Sequence, residues 1–429
     1  MKTDKKRRYR PLAVVVWGAC FASGWFFPTT THAQISARSL GMGGGATALA
    51  RGVDAALYNP ANLGLRNNPR FSMTFFSLGA GLHNNSFTKT DYDRYLVDDP
   101  VWDQNDIEAI LHRIPEDGLH VHGRATSRVL SFSIGRFALS MGSEAGSWAQ
   151  ADKDLFSLAL QGNQVGRTYL LQQTNGEASA IGLIGLSYGH PLRVTFADAF
   201  AVGATLQMVY GIRQARIVDA QASFLTQPHG FAVNGEYEAA LDVGKPGVNL
   251  DAGVAAQFGN HWTISAALLN LTGHTVWTTE ESSFGYVRGD SLTAYKAADL
   301  EEEAIEDSSW TVENGDNFQQ KLPARLRIGG AYETDKVAVT LDYIQGFSRT
   351  AWHGTHPQFS LGAEWKIARW LPLRVGLALG GDIGAGTSCG LGIRPGGFIL
   401  DLAVMNSGFI VPGKARGLLL AFELAMILR

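Results

Sequence analysis

The feature that most constrains this chain is an alternation of apolar and polar residues with a period of two. Across 322–333, Leu322, Ala324, Leu326, Ile328 and Tyr332 fall on one face of an extended strand, and Arg325, Arg327 and Glu333 on the other. Phe359, Leu361, Ala363 and Trp365 are set against Ser360, Glu364 and Lys366 in the same way. Leu371, Leu373, Val375, Leu377 and Leu379 oppose Arg374, Gly376 and Gly380. Phe200, Val202, Leu206, Met208, Tyr210 and Ile212 oppose Gly203, Thr205, Gln207 and Arg213, and a last apolar line runs from Leu418 to Leu428. Successive side chains of a strand point to opposite faces, so each segment specifies a sheet with one oily and one polar face.

Fourteen segments read as such strands: 70–82, 127–134, 137–149, 178–190, 199–213, 248–258, 262–273, 322–333, 337–347, 358–366, 371–380, 385–394, 398–407 and 416–428. The connections 135–136, 191–198, 259–261, 334–336, 367–370 and 395–397 are short. By contrast 83–126, 150–177, 214–247 and 274–321 are long, and 348–357, 381–384 and 408–415 are intermediate. Short turns at one rim and long loops at the other are the habit of outer-membrane barrels. A soluble sandwich would bury the oily faces against each other, but strands of about 9–13 residues are longer than the usual 5–6 and suit a bilayer. With lipid outside, the sheet must close so that every backbone group finds a partner. The fold class expected is therefore all-β: a closed antiparallel transmembrane β-barrel of about 14 strands. Segment 230–242 also alternates; counted as a wall strand it spoils the parity of the turns, so it is assigned to a hairpin within a long loop. Helical patterns in the long loops are expected at 106–114, with Ile107, Ile110, Leu111 and Ile114 on one face, and at 293–306.

Charge and compartment agree with this reading. Lys2, Lys5, Lys6, Arg7, Arg8 and Arg10 precede the apolar run 11–27, and Thr31-His32-Ala33 supplies small residues around a cleavage point, the pattern of a secretory signal peptide over 1–33. Leu12 to Phe27 is too short for a spanning helix, which needs about 20 residues. Cleavage would remove six basic groups and Asp4 from totals of 36 and 39, leaving 30 basic and 38 acidic side chains, a balance of −8 that argues against nucleic acid as a partner. Cys389 would be the one remaining cysteine, so no intrachain disulfide is expected.

Residues 34–69 are not strand-like. Ala37-Arg38-Ser39-Leu40-Gly41-Met42-Gly43-Gly44-Gly45-Ala46 is small-sided, and Asn59-Pro60-Ala61 breaks the chain. A fourteen-strand barrel has a lumen wider than wall side chains alone fill, and 34–69 is the expected hatch, leaving 70–429 for the barrel. These residues, with Asp54-Ala55-Ala56-Leu57-Tyr58-Asn59-Pro60-Ala61-Asn62-Leu63, resemble the N-terminus of the FadL/OmpP1 superfamily of outer-membrane transporters. The stretch Ala267-Leu268-Leu269-Asn270-Leu271 is also similar to that superfamily, including its PorV-like, secretion-associated branch. The resemblance implies passive uptake of hydrophobic or amphipathic, fatty-acid-like molecules across the outer membrane of a diderm bacterium. It marks Gly41, Met42, Gly43, Gly44, Asn59, Pro60 and Ala61 as hatch residues. Its second branch implies a component of a secretion or surface-attachment machine with the loops as docking surfaces. Membrane lipid and a hydrophobic ligand are the partners implied, without a cofactor. The chain departs from the barrel habit at its end, Leu428-Arg429, where an aromatic is usual, and its acidic loops do not align to a fatty-acid groove.

Other motifs carry duller readings. Gly41-Met42-Gly43-Gly44-Gly45-Ala46 satisfies G-x-G-x-x-A but lacks the βαβ context of a dinucleotide site. Gly185-Leu186-Ser187-Tyr188-Gly189 and Gly386-Thr387-Ser388-Cys389-Gly390 match G-x-S-x-G, yet no helix follows either and no histidine follows Ser388; an enzyme is not expected. His120 with His122, and His353 with His356, lack an obvious third metal ligand, and the acidic run from Asp299 to Asp307 reads as a solvated helix face. If the oily line of each strand faces lipid, Arg325, Arg327, Asp342, Glu364, Lys366, Arg374, Asp401 and Glu423 point into the lumen. There they form an interior ionic network or, in the case of Arg325, Arg327 or Arg374, capture the carboxylate of an amphipath.

Overall fold

The computed structural model describes residues 36–98, 101–292, 306–313, 315–348, 355–381 and 384–428. The expected leader 1–33, the helix at 293–306 up to residue 305, and His353 lie outside them. The strands are β1 Phe71–Asn84, β2 Leu119–Ile134, β3 Phe137–Ala151, β4 Thr168–Leu171, β5 Asn175–Leu192, β6 Ala199–Gln227, β7 Gly230–Phe258, β8 Trp262–Leu269 and β9 His274–Leu292. They continue with β10 Glu306–Glu313, β11 Asn317–Lys321, β12 Arg325–Glu333, β13 Val337–Gly346, β14 Gln358–Ala368, β15 Leu371–Gly380, β16 Ala385–Ile393, β17 Phe398–Ser407 and β18 Gly417–Leu428.

Every wall pairing is antiparallel. β1 pairs with both β2 and β18, which closes the ring, and β8 pairs with β7 and β12 at the opposite side. Among the described residues, the 18 strands less β4, β9, β10 and β11 leave a closed wall of fourteen. The oily face looks outward: Leu341 and Val375 are 58% and 61% exposed, while their neighbours Asp342 and Arg374 are buried. Burying a charge in hydrocarbon costs an Arg or Lys about 2–4 kcal/mol at the midplane, so this orientation is the one a bilayer permits. Near the short-turn rim an aromatic belt faces outward, with Phe137 against Tyr188 at 4.6 Å and Trp262 against Tyr332 at 4.9 Å. Such rings, apolar with polar tips, suit the membrane–water interface. The short-turn rim is taken as periplasmic throughout.

The outer side differs from expectation in three places. Segment 230–242 is no separate hairpin: it is the first half of β7, and β6 and β7 run together for 29 residues each, paired from Gln227↔Gly230 down to Ala199↔Gln257. At about 3.3 Å per residue each spans roughly 95 Å, far more than a bilayer, so 214–247 is projecting sheet rather than loop. Residues 274–292, 306–313 and 317–321, expected within a long loop, are strands, and β9 joins β7 on one side and β10 and β11 on the other. Their Thr, Val, Trp and Tyr content favours a pleated surface. Leu322, assigned to the lipid line, is buried inside with Ile181, Leu183, Val209 and Trp277, because β12 begins only after Pro323. The helix expected at 106–114 forms at Gln104–Arg113, capped by Asp103, whose side chain accepts from the Asp106 N–H. It packs with Lys153–Gln161 into an apolar cap around Trp102, Ile110 and Phe156.

Candidate functional site: a lumen filled by the N-terminal segment

Residues 36–65 lie inside the wall and are almost wholly buried. They fold as short turns of helix, Ala37–Gly41, Gly52–Asp54, Ala55–Tyr58 and Pro60–Gly64, because alanine and glycine dominate and no apolar stripe is long enough to extend one. Ser36 caps the first turn by accepting from the Ser39 N–H, and Asn59 starts the last by accepting from the Ala61 N–H. The segment has one small apolar cluster of its own, Ala46, Ala50, Leu57 and Tyr58, and its other apolar side chains pack on the wall, Leu40 with Met405 and Leu419 and Leu63 with Ala138.

On the β13–β17 side those partners are charged. Arg38 donates through Nε and Nη2 to both oxygens of Glu364 at 3.1 and 3.0 Å, and Arg374 donates to Glu364 Oε2 at 2.8 Å. Arg374 Nη1 also lies 3.0 Å from Asp401 Oδ1. Asp342 Oδ2 accepts from the N–H groups of Ala46 and Thr47, both at 2.8 Å, and from the Thr47 hydroxyl at 2.7 Å. Arg327 donates to Thr47 Oγ1 at 3.0 Å, stands 3.7 Å from Asp342 and lies over the Tyr58 ring at 5.0 Å. Across the closure of the ring, Arg128 bridges Asp54 of the segment at 2.6 Å and Glu423 of the wall at 3.0 Å. Charge-assisted bonds in a buried setting are the strong ones, and here they join the segment to four wall strands, β2, β12, β13 and β14.

On the β5–β7 side the fit is steric. Gly189, Gly203 and Gly253 are register partners on three adjacent strands and form a glycine row facing the lumen. The backbone of 59–64 lies in that row: a Cβ on Gly203 would sit 2.3 Å from Ala61 N, and one on Gly189 2.5 Å from Gly64 N. Asn59 donates to the carbonyls of Val254 and Ala266 at 2.9 and 3.2 Å. A second row, Gly362 with Gly376, receives Met42 and Gly43, and Gly43 N–H donates to Ser388 Oγ at 3.0 Å. Gly44 contributes its carbonyl to Arg327, and Gly41 lies against Gly390.

All the lumen charges named from the sequence turn inward. Arg327, Asp342, Glu364, Arg374 and Asp401 are drawn into the contacts above. Lys366 stays at the rim, 3.6 Å from Glu333, and Arg325 is buried within electrostatic reach of Glu144 and Asp251. Arg38, Asp54, Arg128 and the glycine rows were not singled out beforehand. Arg128 had the alternating pattern as a signal; the rows had none, since register across strands is invisible in one sequence. Two arginines of the segment feel their setting. Burial pushes the Arg51 guanidinium down to about 10, against a weaker pull from Glu333. Arg38 is also lowered by burial, but Glu364 and Glu333 outweigh that and hold it above its ordinary value.

The G-x-S-x-G serines and the histidines have the following surroundings. Ser187 shares a 2.8 Å hydrogen bond with Thr205, and Ser388 is the acceptor for Gly43. Among the described residues no three of His, Cys, Asp and Glu form a group able to hold a metal. The 3.5 Å contact of His120 is with Asp117.

The closed fourteen-strand barrel has the fold of several solved outer-membrane barrels. The toluene transporter TodX of Pseudomonas putida superposes with a TM-score of 0.55 at 12% identity, over 92% of this chain and 99% of that one. TbuX, the toluene transporter of Ralstonia pickettii, gives 0.52 at 14% identity over 92% and 99%. A Pseudomonas aeruginosa FadL homologue gives 0.52 at 11% over 94% and 100%. By sequence, a family model described as F plasmid transfer operon, TraF, protein matches residues 56–343, and the chain belongs to that family. No curated protein matches it.

Proposed function

We propose that this protein is an outer-membrane channel for passive uptake of hydrophobic or amphipathic small molecules, gated by residues 34–65 as a hatch. The observation that carries the reading is the nature of the blockage. The lumen is filled by a small-sided segment held to the wall through ion pairs, backbone fit and small apolar contacts rather than by a continuous-sheet connection. The likeness to proteins described as toluene transporters and a FadL homologue supports a hydrophobic cargo. Export by a cleaved leader over 1–33 and residence in the outer membrane of a diderm bacterium belong to the same reading. Arg327 and Arg374 already serve the wall carboxylates Asp342, Glu364 and Asp401, so carboxylate capture by either is not part of this reading. Deleting 34–65 while the barrel still folds is expected to change uptake of a hydrophobic probe into proteoliposomes. Unchanged uptake removes the gating role.

A second reading is a docking component of a secretion or surface-attachment machine. The projecting β6–β7 sheet favours it, as does a family described by a plasmid transfer operon. Loss of a co-purifying partner on shortening β6–β7, with uptake unchanged, would select this reading over the first.

A further inference from the structure

A cavity of about 910 Å³ opens at the periplasmic rim, beneath the N-terminal segment. That is within the range of ligand pockets, about 300–1,000 Å³. Part of its lining is basic: Arg51 and Arg66 of the N-terminal segment, Arg70 at the entry to β1, Lys336 of the β12–β13 turn and Arg394 after β16. Another part is apolar, with Val53, Ile399, Ala425 and Ile427.

The acids that line the cavity are largely committed. Asp54 and Glu423 pair with Arg128, Asp401 with Arg374, and Glu333 stands between Arg38 and Lys366. Asp335, beside Lys336, is the exception. Arg51, Arg66, Arg70 and Lys336 have no carboxylate within ion-pair distance among the described residues. Arg51 instead donates to Asn67, Thr263 and the carbonyls of Ala48 and Ala50. Arg394 Nε is buried without a hydrogen-bond partner. The charge is also vectorial: residues 34–70 carry four basic groups and one acidic, whereas the outer connections 85–118 and 274–321 carry nine acidic to three basic and eleven to three.

We propose that this vestibule binds an anionic amphipath, a carboxylate or phosphate group carrying a short apolar chain. The head sits among Arg51, Arg66, Arg70 and Lys336, and the chain lies along Ile399, Ala425 and Ile427. The cargo class rests on the uptake reading, but occupancy of the vestibule does not.

The test uses the full chain in nanodiscs of zwitterionic lipid, with empty nanodiscs as blank, and titrates octanoate, octan-1-ol and acetate. Octanoate is expected to bind at least tenfold more tightly than either of the others. Arg70→Gln with Lys336→Gln is expected to weaken octanoate at least fivefold and leave octan-1-ol unchanged, with heat-modifiable mobility reporting a folded barrel. Should the double variant fail to fold, wild-type binding of octanoate must fall severalfold between 0.05 and 0.5 M NaCl, as an exposed charge contact requires. Equal binding of octan-1-ol and octanoate, acetate as tight as octanoate, or insensitivity to both the variant and salt overturns the proposal. Binding retained by a protein that fails to transport any probe would count against uptake and leave the vestibule standing.

Discussion

The two flanks of the barrel hold the same segment by different physics. The C-terminal flank, β12 to β18, is built of strands of 9–12 residues that stop where a bilayer would stop. It grips residues 38–47 with charge, through Glu364, Arg374, Asp342 and Arg327. The N-terminal flank, β1 to β8, includes strands of 29 residues that rise well beyond the membrane. It grips residues 59–64 with shape, through a row of glycines and two carbonyls. A charge clamp is lost when one partner goes, because the other is left buried and uncompensated. A shape clamp is lost only when something is added.

The largest effect is expected where the charge clamp is cut. Asp342→Ala removes three acceptor contacts to Ala46 and Thr47 and strands Arg327. It should lower stability by about 3–5 kcal/mol and raise conductance in planar bilayers. Urea unfolding of lipid-reconstituted protein and single-channel recording measure the two. Next comes the shape clamp. Gly203→Val puts side-chain atoms where Pro60 and Ala61 lie, at a cost of about 1–3 kcal/mol for overpacking. It should expose the segment to protease while the barrel stays heat-modifiable; a protected segment would mean that the glycine row is not a seat. At the seam between the flanks, Trp262→Ala removes the ring that meets Tyr332 across β8 and β12 and should cost about 1 kcal/mol, with conductance unaltered. The smallest effect is expected from replacing 214–243 by a short turn. The barrel midpoint should move by less than about 0.5 kcal/mol, and a larger loss would show that the projecting sheet supports the wall.

Much of the wall was legible because its signal is local. The alternation of Leu371 to Leu379 with Arg374 between them states both the strand and its facing, and β15 carries it unchanged. The inward direction of Asp342 and Glu364 follows from the same parity. Reading failed where parity continued past the bilayer: 230–242 alternates just as a wall strand does, and nothing in those residues says that β7 is one strand of double length. Leu322 misled because Pro323 delays β12 by a turn of chain, so its apolar side chain joins Trp277 inside.

The sequence by itself determined which faces meet lipid and which meet the lumen, since an oily side chain at every second position leaves a strand in a bilayer one acceptable orientation. It also supplied a small-sided N-terminus with apolar bulk for no more than one small cluster, Ala46, Ala50, Leu57 and Tyr58. Only the tertiary structure decided what that segment touches. Gly189, Gly203 and Gly253 are separated by 14 and 50 residues in the chain and become a single groove through register alone. Arg38 finds Glu364 across 326 residues for the same reason: pairing between strands, unlike facing along one strand, is a property of the closed ring.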